Sequence, residues 1–166
     1  MKYRNDFVTN SSSSSFILNF RNEDEAYASV CRAFLNCADH DDNDYDQPFA
    51  LDRIISEMKK NETDKESAVN NYLEENWYSV RYKIEEAYRR DEEKYPRKDW
   101  EDFRQRYDAE IEKETDKQIK EIRSDIEKRF AKKHYFSIVE FEDHYPEMYA
   151  SMVCESLPDV LIISHH

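Results

Sequence analysis

Residues 11–20 read SSSSSFILNF, in which five serines lead directly into an apolar segment. The segment 16–20 is short and bounded by polar residues, which is typical of a β-strand. Two further strands are predicted at 136–141 and 160–163, and the unbroken apolar run of the last one indicates a central strand buried on both faces. The chain contains no glycine, which tight hairpin turns favour, so we expect a high helix content.

Helical periodicity dominates the middle of the chain. Apolar residues recur every three or four positions over 66–95 and again over 98–132, which predicts two long helices with a coiled-coil-like seam. Thr115 is the one polar residue in this seam, and Pro96 separates the helices because proline lacks the amide donor. A helix of about 30 residues is roughly 45 Å long, which exceeds what a small core can cover. We therefore expect a projecting antiparallel hairpin, with a single kinked rod as the alternative.

The order of the predicted elements defines the fold class. Three shorter helices are predicted at 22–38, 48–58 and 146–156. The chain then reads strand, two helices, helical hairpin, strand, helix, strand, and the last helix is just long enough for a parallel crossover. We predict an α+β or α/β fold with a small three-stranded sheet, in which 1–64 and 134–166 form one acidic core and 65–133 are a helical hairpin insertion.

Charge divides the chain in the same way. The protein has 25 basic and 38 acidic residues and a net charge of −13. Of these, 18 basic and 19 acidic residues lie between 65 and 133, which leaves a net charge of −12 for the remainder. Because nucleic-acid binding depends on basic residues at the phosphates, we expect no direct binding of nucleic acid, except through a local basic patch such as Arg89–Arg90 or Lys132–Lys133.

The composition excludes several classes of protein and site. No apolar run is long enough to span a bilayer and no apolar signal core is present, so we expect a cytoplasmic protein without a membrane association. Cys31, Cys37 and Cys154 are then reduced thiols, and Cys31 and Cys154 are inert because they lie on apolar helical faces. Without glycine the chain lacks a Walker loop, a dinucleotide fingerprint and a serine-hydrolase elbow. The acidic loop 39–46 likewise lacks the glycine of a calcium loop.

The most suggestive group of polar residues lies at the predicted strand ends. Asp143 and His144 follow the second strand, and His165 and His166 close the third. If these strands are parallel neighbours, all four side chains lie at one sheet edge, where ligands of open α/β sheets bind. Imidazole and carboxylate are ligands of zinc, manganese and iron, so one interpretation is a divalent-metal core with hydrolase-type activity. In the competing interpretation no cofactor binds, the histidines are exposed terminal residues or a purification-tag remnant, and the carboxylates cap the next helix.

The serine run is predicted to be an ordered turn rather than a flexible leader. Its side chains supply the hydrogen bonds that a turn without glycine needs. We expect 9–15 to pack against the core, and if the first strand is antiparallel to the other two, the run lies at their carboxyl edge. The candidate site residues of this run are Asn10, Ser11, Ser12, Ser13, Ser14 and Ser15.

The same segment carries a resemblance. Residues 4–16, RNDFVTNSSSSSF, resemble the opening of an uncharacterised family of small bacterial and bacteriophage proteins, which reads Arg-x-(Asp or Gly)-Phe-Val-(Ser or Thr)-Asn followed by serines and Phe. Residues 140–144, EFEDH, and 163–166, ISHH, are similar to two shorter motifs in some of these proteins. The resemblance implies no activity. It implies that the terminal histidines are native, that the serine run and the strand ends belong to a shared core, and that the hairpin is an insertion particular to this chain.

Together these features favour a non-catalytic interaction or regulatory protein encoded by a phage or mobile element. The hairpin would bind a protein partner or form a homodimer, and the acidic core would occupy a basic surface. A third interpretation is that the hairpin acts as a spacer in a larger assembly. The sequence assigns no catalytic residue, and it names no partner-binding residue within the hairpin.

Overall fold

The computed structural model describes residues 13–38, 47–142 and 147–165. Within these residues the fold is mixed α+β, as the sequence predicts at that level. The elements are β1 (Ser13–Phe20), α1 (Glu23–Ala38), α2 (Gln47–Lys60), β2 (Glu62–Thr63), α3 (Lys65–Arg90), α4 (Trp100–Arg129), β3 (Tyr135–Glu142), α5 (Glu147–Glu155) and β4 (Leu161–His165). The described chain divides into two compact units, of which one ends at Ala68 and resumes at Lys133, and the other is Val69–Lys132.

The sheet differs from the prediction in three ways. It has four strands in the order β2-β3-β1-β4, and every neighbouring pair is antiparallel. The additional strand, β2, has two residues, too few to produce a periodic pattern. The predicted central strand, β4, is instead an edge strand, and Ile162 in it is 39% exposed. β3 and β4 both run opposite to β1, so they share a direction, but β1 lies between them and they are not neighbours.

The core unit is built on alternation along β1 and β3. Residues at alternate positions of these strands are buried beneath α1, α2 and α5, and Phe16 lies against Phe141 with ring centroids 6.5 Å apart. Burying each such side chain contributes about 1.5–3 kcal/mol. The buried core includes Phe16, Leu18, Phe20, Val30, Ile54, Met58, Val139, Phe141, Val153 and Leu157.

The predicted capping box opens α1. The amide of Glu25 donates to Oδ1 of Asn22 at 2.8 Å, and the amide of Arg21 donates to Oε2 of Glu25 at 2.6 Å. The first bond satisfies an amide of the first helical turn, and the second reaches one residue further back than in a standard capping box, to the residue before the cap. The helix therefore begins where the sequence predicts it.

The turn before β4 solves a problem that a chain without glycine must meet. Asp159 has φ = 61°, in the left-handed region that glycine normally occupies. Its carbonyl oxygen accepts a hydrogen bond of 2.7 Å from Nδ2 of Asn19, and its Oδ2 lies 3.2 Å from Nζ of Lys133. Aspartate tolerates this conformation better than most residues, so the turn forms without glycine.

The second unit is an antiparallel helical hairpin, not a kinked rod. Arg81 of α3 pairs with Asp108 of α4, and Asn70 near the start of α3 bonds Arg123 near the end of α4. These pairs connect early residues of one helix with late residues of the other. The seam between them contains Ile84, Phe103 and Ile111, all buried. Thr115 is fully buried, and its hydroxyl donates to the carbonyl of Ile111 at 2.7 Å, so the polar residue is satisfied within its own helix.

The two long helices are shorter than predicted, because a structured turn over 91–99 separates them. The guanidinium of Arg97 donates to the carbonyl of Arg89 at 2.9 Å and so caps the end of α3. Asp99 caps the start of α4 by accepting from the amide of Asp102 at 2.9 Å. The break thus depends on these two caps as well as on Pro96.

Candidate functional site

The start of β1 meets the carboxyl ends of β3 and β4. In the sheet register Ser14 lies opposite Phe141 on one side and opposite His165 on the other. Oγ of Ser13 donates to Oε1 of Glu140 at 2.9 Å. The serine run and the last strand are therefore adjacent, which is the arrangement expected if β1 is antiparallel to both.

The predicted turn is wrong for its last three residues. All three serines are part of β1. Ser14 and Ser15 are paired with both β3 and β4, and Ser13 is paired with β3. The pleat explains their different surroundings: Ser14 is buried and faces the core, whereas Ser13 and Ser15 are half-buried on the opposite face. The remaining members of the predicted site, 9–12, lie outside the described residues.

The predicted metal site stays a prediction. Asp143, His144 and His166 lie outside the described residues, as does the acidic loop 39–46, and His165 is known here by its register opposite Ser14. Within 13–38, 47–142 and 147–165, no three His, Cys, Asp or Glu side chains are grouped closely enough to hold a metal ion. The parallel-neighbour arrangement on which the site was predicted is wrong, since β1 separates the two strand ends.

A charged network at the end of β3 is absent from the sequence prediction. The amide of Glu142 donates to Oε2 of Glu147 at 3.0 Å, and Nε of Arg53 donates to Oε1 of the same carboxylate at 3.2 Å. Arg53 also pairs with the buried Glu57 at 2.8 Å, and Glu57 accepts from Nδ2 of Asn61 at 2.7 Å. One guanidinium thus bridges the two carboxylates, and through the Glu142 amide the network connects the end of β3 with α2 and α5.

The three cysteine thiols lie in different surroundings. Cys154 is fully buried in the core, and burial raises the pKa of its thiol well above the usual range. Cys31, which the sequence places on an apolar face, is only partly buried, because its position on α1 lies at the edge of that face. Cys37 is also partly buried, with Sγ 3.9 Å from Oγ of Ser156.

The hairpin presents an exposed aromatic surface that sequence periodicity did not identify. Tyr78 and Tyr82, four residues apart on α3, are 72% and 57% exposed, and Trp100 at the start of α4 is 47% exposed. The guanidinium of Arg89 lies 5.9 Å from the Tyr82 ring and 5.5 Å from the Trp100 ring, and that of Arg104 lies 6.0 Å from Trp100. We call these five residues the aromatic flank. Its signal in the sequence is the pair of tyrosines at helical spacing outside the apolar seam.

Aromatic packing in the turn holds this flank in place. Trp100 stacks on Phe103 at 5.4 Å between centroids, and Phe103 contacts Tyr107 at 5.3 Å. Tyr107 in turn contacts both Tyr88 and Tyr95, which stack on each other at 4.0 Å. Partial burial, reinforced by the hydrogen bond with Tyr95, raises the pKa of Tyr88 to about 12. The exposed tryptophan is therefore attached to a packed cluster and is not a loose side chain.

Comparison with family models, with curated proteins and with solved structures found no match to this chain. Among the described helices, none combines the length and the apolar character needed to cross a membrane.

Proposed function

We propose that this protein is a non-catalytic interaction protein that binds a protein partner through the aromatic flank of its hairpin. The observation that carries the proposal is the exposure of Tyr78, Tyr82 and Trp100 beside Arg89 and Arg104. Tryptophan, tyrosine and arginine are the residues that dominate binding energy at protein interfaces. Three aromatic rings exposed on one surface are energetically unfavourable in water unless a partner covers them.

The two tyrosines of the flank lie outside the packing that holds the hairpin together. The seam is already filled by Ile84, Phe103 and Ile111, which are buried. Tyr78 and Tyr82 lie on α3 outside this seam, so their rings contribute little to its packing. Aromatic side chains outside the seam are well suited to binding, because each ring offers a large contact area while losing few rotamers when a partner docks.

The proposal is tested by replacing the flank without disturbing the seam. The variant Tyr78→Ser/Tyr82→Ser removes both rings, and the matched control Glu112→Ser/Lys113→Ser changes two exposed residues on α4 without altering the net charge. Crosslinking mass spectrometry on the full chain in cell lysate should place a crosslinked protein beside the flank in the wild type and in the control.

We expect the double tyrosine variant to lose that crosslink by tenfold or more, since hot-spot aromatics each contribute about 2 kcal/mol or more. Circular dichroism checks that the variant keeps its helices. Equal crosslinking in all three proteins, or none near the flank in any of them, would contradict the proposal.

A further inference from the structure

We infer that the partner that covers the aromatic flank is a second copy of this chain, with the two α3 helices antiparallel about a two-fold axis. The inference rests on the proposed function and adds the identity of the partner. It follows from the distribution of charge along the flank.

Glu74 and Glu75 extend the flank along α3, so that the extended flank carries opposite charges at its two ends. On α3 the exposed residues Glu75, Tyr78 and Tyr82 are spaced by three and four, and Arg89 follows seven positions later, so all four share one helical face. The acidic end carries Glu74 beside Glu75, and both are exposed. The basic end carries Arg89 and, across Trp100, Arg104. Along α3 this surface therefore runs from two glutamates through Tyr78 and Tyr82 to Arg89.

The charges at the two ends are incompletely neutralised within the chain. Among the residues that the structure describes, the ion pairs involve neither Glu74, Glu75 nor Arg104. Arg89 has Glu85 at 3.7 Å, a distance typical of a weak surface pair. By contrast Arg81 and Arg90 each have a close carboxylate partner. Glu74, Glu75 and Arg104 therefore keep charges that no described ion pair neutralises, and these charges lie beside the exposed rings.

A two-fold axis brings the opposite ends together. With the axis near Tyr82, Glu75 of one copy lies across from Arg89 of the other, each about 10 Å from the axis along the helix. The two Tyr82 rings meet at the centre and each Tyr78 lies about 6 Å from the axis, while the acid–base contact occurs twice because the interface is isologous. An acidic partner would match only the arginine end and a basic partner only the glutamate end, whereas a second copy matches both.

The overall charge also selects this surface for self-association. Two copies each carry a net charge of −12 outside residues 65–133, so contacts between those parts are repulsive. Within 65–133 the 18 basic and 19 acidic residues nearly balance. The hairpin is therefore the part of the molecule at which two copies approach without a net repulsion.

The test uses charge reversal in the full-length protein, with sedimentation equilibrium as the measurement. The wild type should be a dimer, and Glu75→Arg or Arg104→Glu should each weaken dimerisation by tenfold or more, since like charges then face each other twice. An equimolar mixture of the two variants should form a heterodimer, because each reversed charge now meets its opposite. The control Glu112→Arg, an exposed reversal elsewhere on α4, should remain a dimer.

The outcomes separate this inference from the proposed function. A dimer that is insensitive to both reversals, or variants that do not recombine in the mixture, would overturn the antiparallel arrangement. If the wild type is monomeric but Tyr78→Ser/Tyr82→Ser still abolishes a crosslink to another protein, the second copy is the wrong partner and the proposed function stands. If the wild type is monomeric and the tyrosines affect no crosslink, both fail.

Discussion

Replacing Asp159 by glycine and by alanine isolates the cost of its left-handed backbone. Both substitutions delete the contact with Lys133, an exposed pair that contributes about 0.5 kcal/mol or less. Both keep the bond from Asn19, because its acceptor is the backbone carbonyl. A Cβ at φ = 61° destabilises the folded alanine variant by about 1–2 kcal/mol. Glycine has no such strain, but its more flexible unfolded state lowers the free energy of unfolding by about 0.4–1 kcal/mol.

We therefore expect Asp159→Gly to leave the free energy of unfolding of the core unit within about 0.5 kcal/mol of the wild type, and Asp159→Ala to lower it by about 1–1.5 kcal/mol. Native-state hydrogen exchange of the β1 amides measures this quantity directly, since β1 is one of the two inner strands of the sheet. Both tryptophans, Trp77 and Trp100, belong to the hairpin unit, so their fluorescence is an internal control that should not change. An alanine variant as stable as the glycine variant would refute the argument that the turn is held at a conformational cost.

Two further predictions follow from the burial of titratable groups. The pKa of Tyr88 is about 12 in the folded protein, above its value in the unfolded chain. The neutral phenol therefore stabilises the hairpin below pH 10, and this contribution is lost as the pH rises toward 12. A spectrophotometric tyrosinate titration should show a late step that Tyr88→Phe removes. Cys154 should resist an aromatic disulfide reagent in the native protein, whereas Cys31 and Cys37 should react. All three thiols should react in denaturant. Rapid labelling of Cys154 under native conditions would contradict its burial.

The helices were predictable because their signals are local. The capping box at Asn22 and Glu25 and the seam through Phe103 and Ile111 depend on spacing along the chain, and spacing is visible in one sequence. The ends of the long helices were less accurate, because Arg97 caps α3 from eight residues away and no short motif announces such a bond. The apolar periodicity continues past Arg90, but the helix ends at that residue.

The sheet order was not predictable, because it is decided by contacts between distant residues. The apolar run at 160–163 is as consistent with an edge strand whose inner face is covered as with a central one, and only the pairing of Ile17 with Leu161 distinguishes them. Arg53 illustrates the same limit at the candidate site. Its two carboxylate partners include Glu147, 94 residues away, and nothing in the sequence links the two.

The balanced charge of the hairpin has a consequence for what can bind it. Many of its charges are consumed by pairs within one helix, such as Arg90 with Glu86 and Arg106 with Asp102, each worth about 0.3–0.5 kcal/mol. These pairs favour helix formation but present no net field to a partner. Specificity for a partner must then come from charges that are not in these ion pairs. On the flank, charges of this kind lie beside exposed aromatic rings. A partner that matched only the rings would bind without register, whereas one that also matched the acidic and basic ends would be fixed in one orientation.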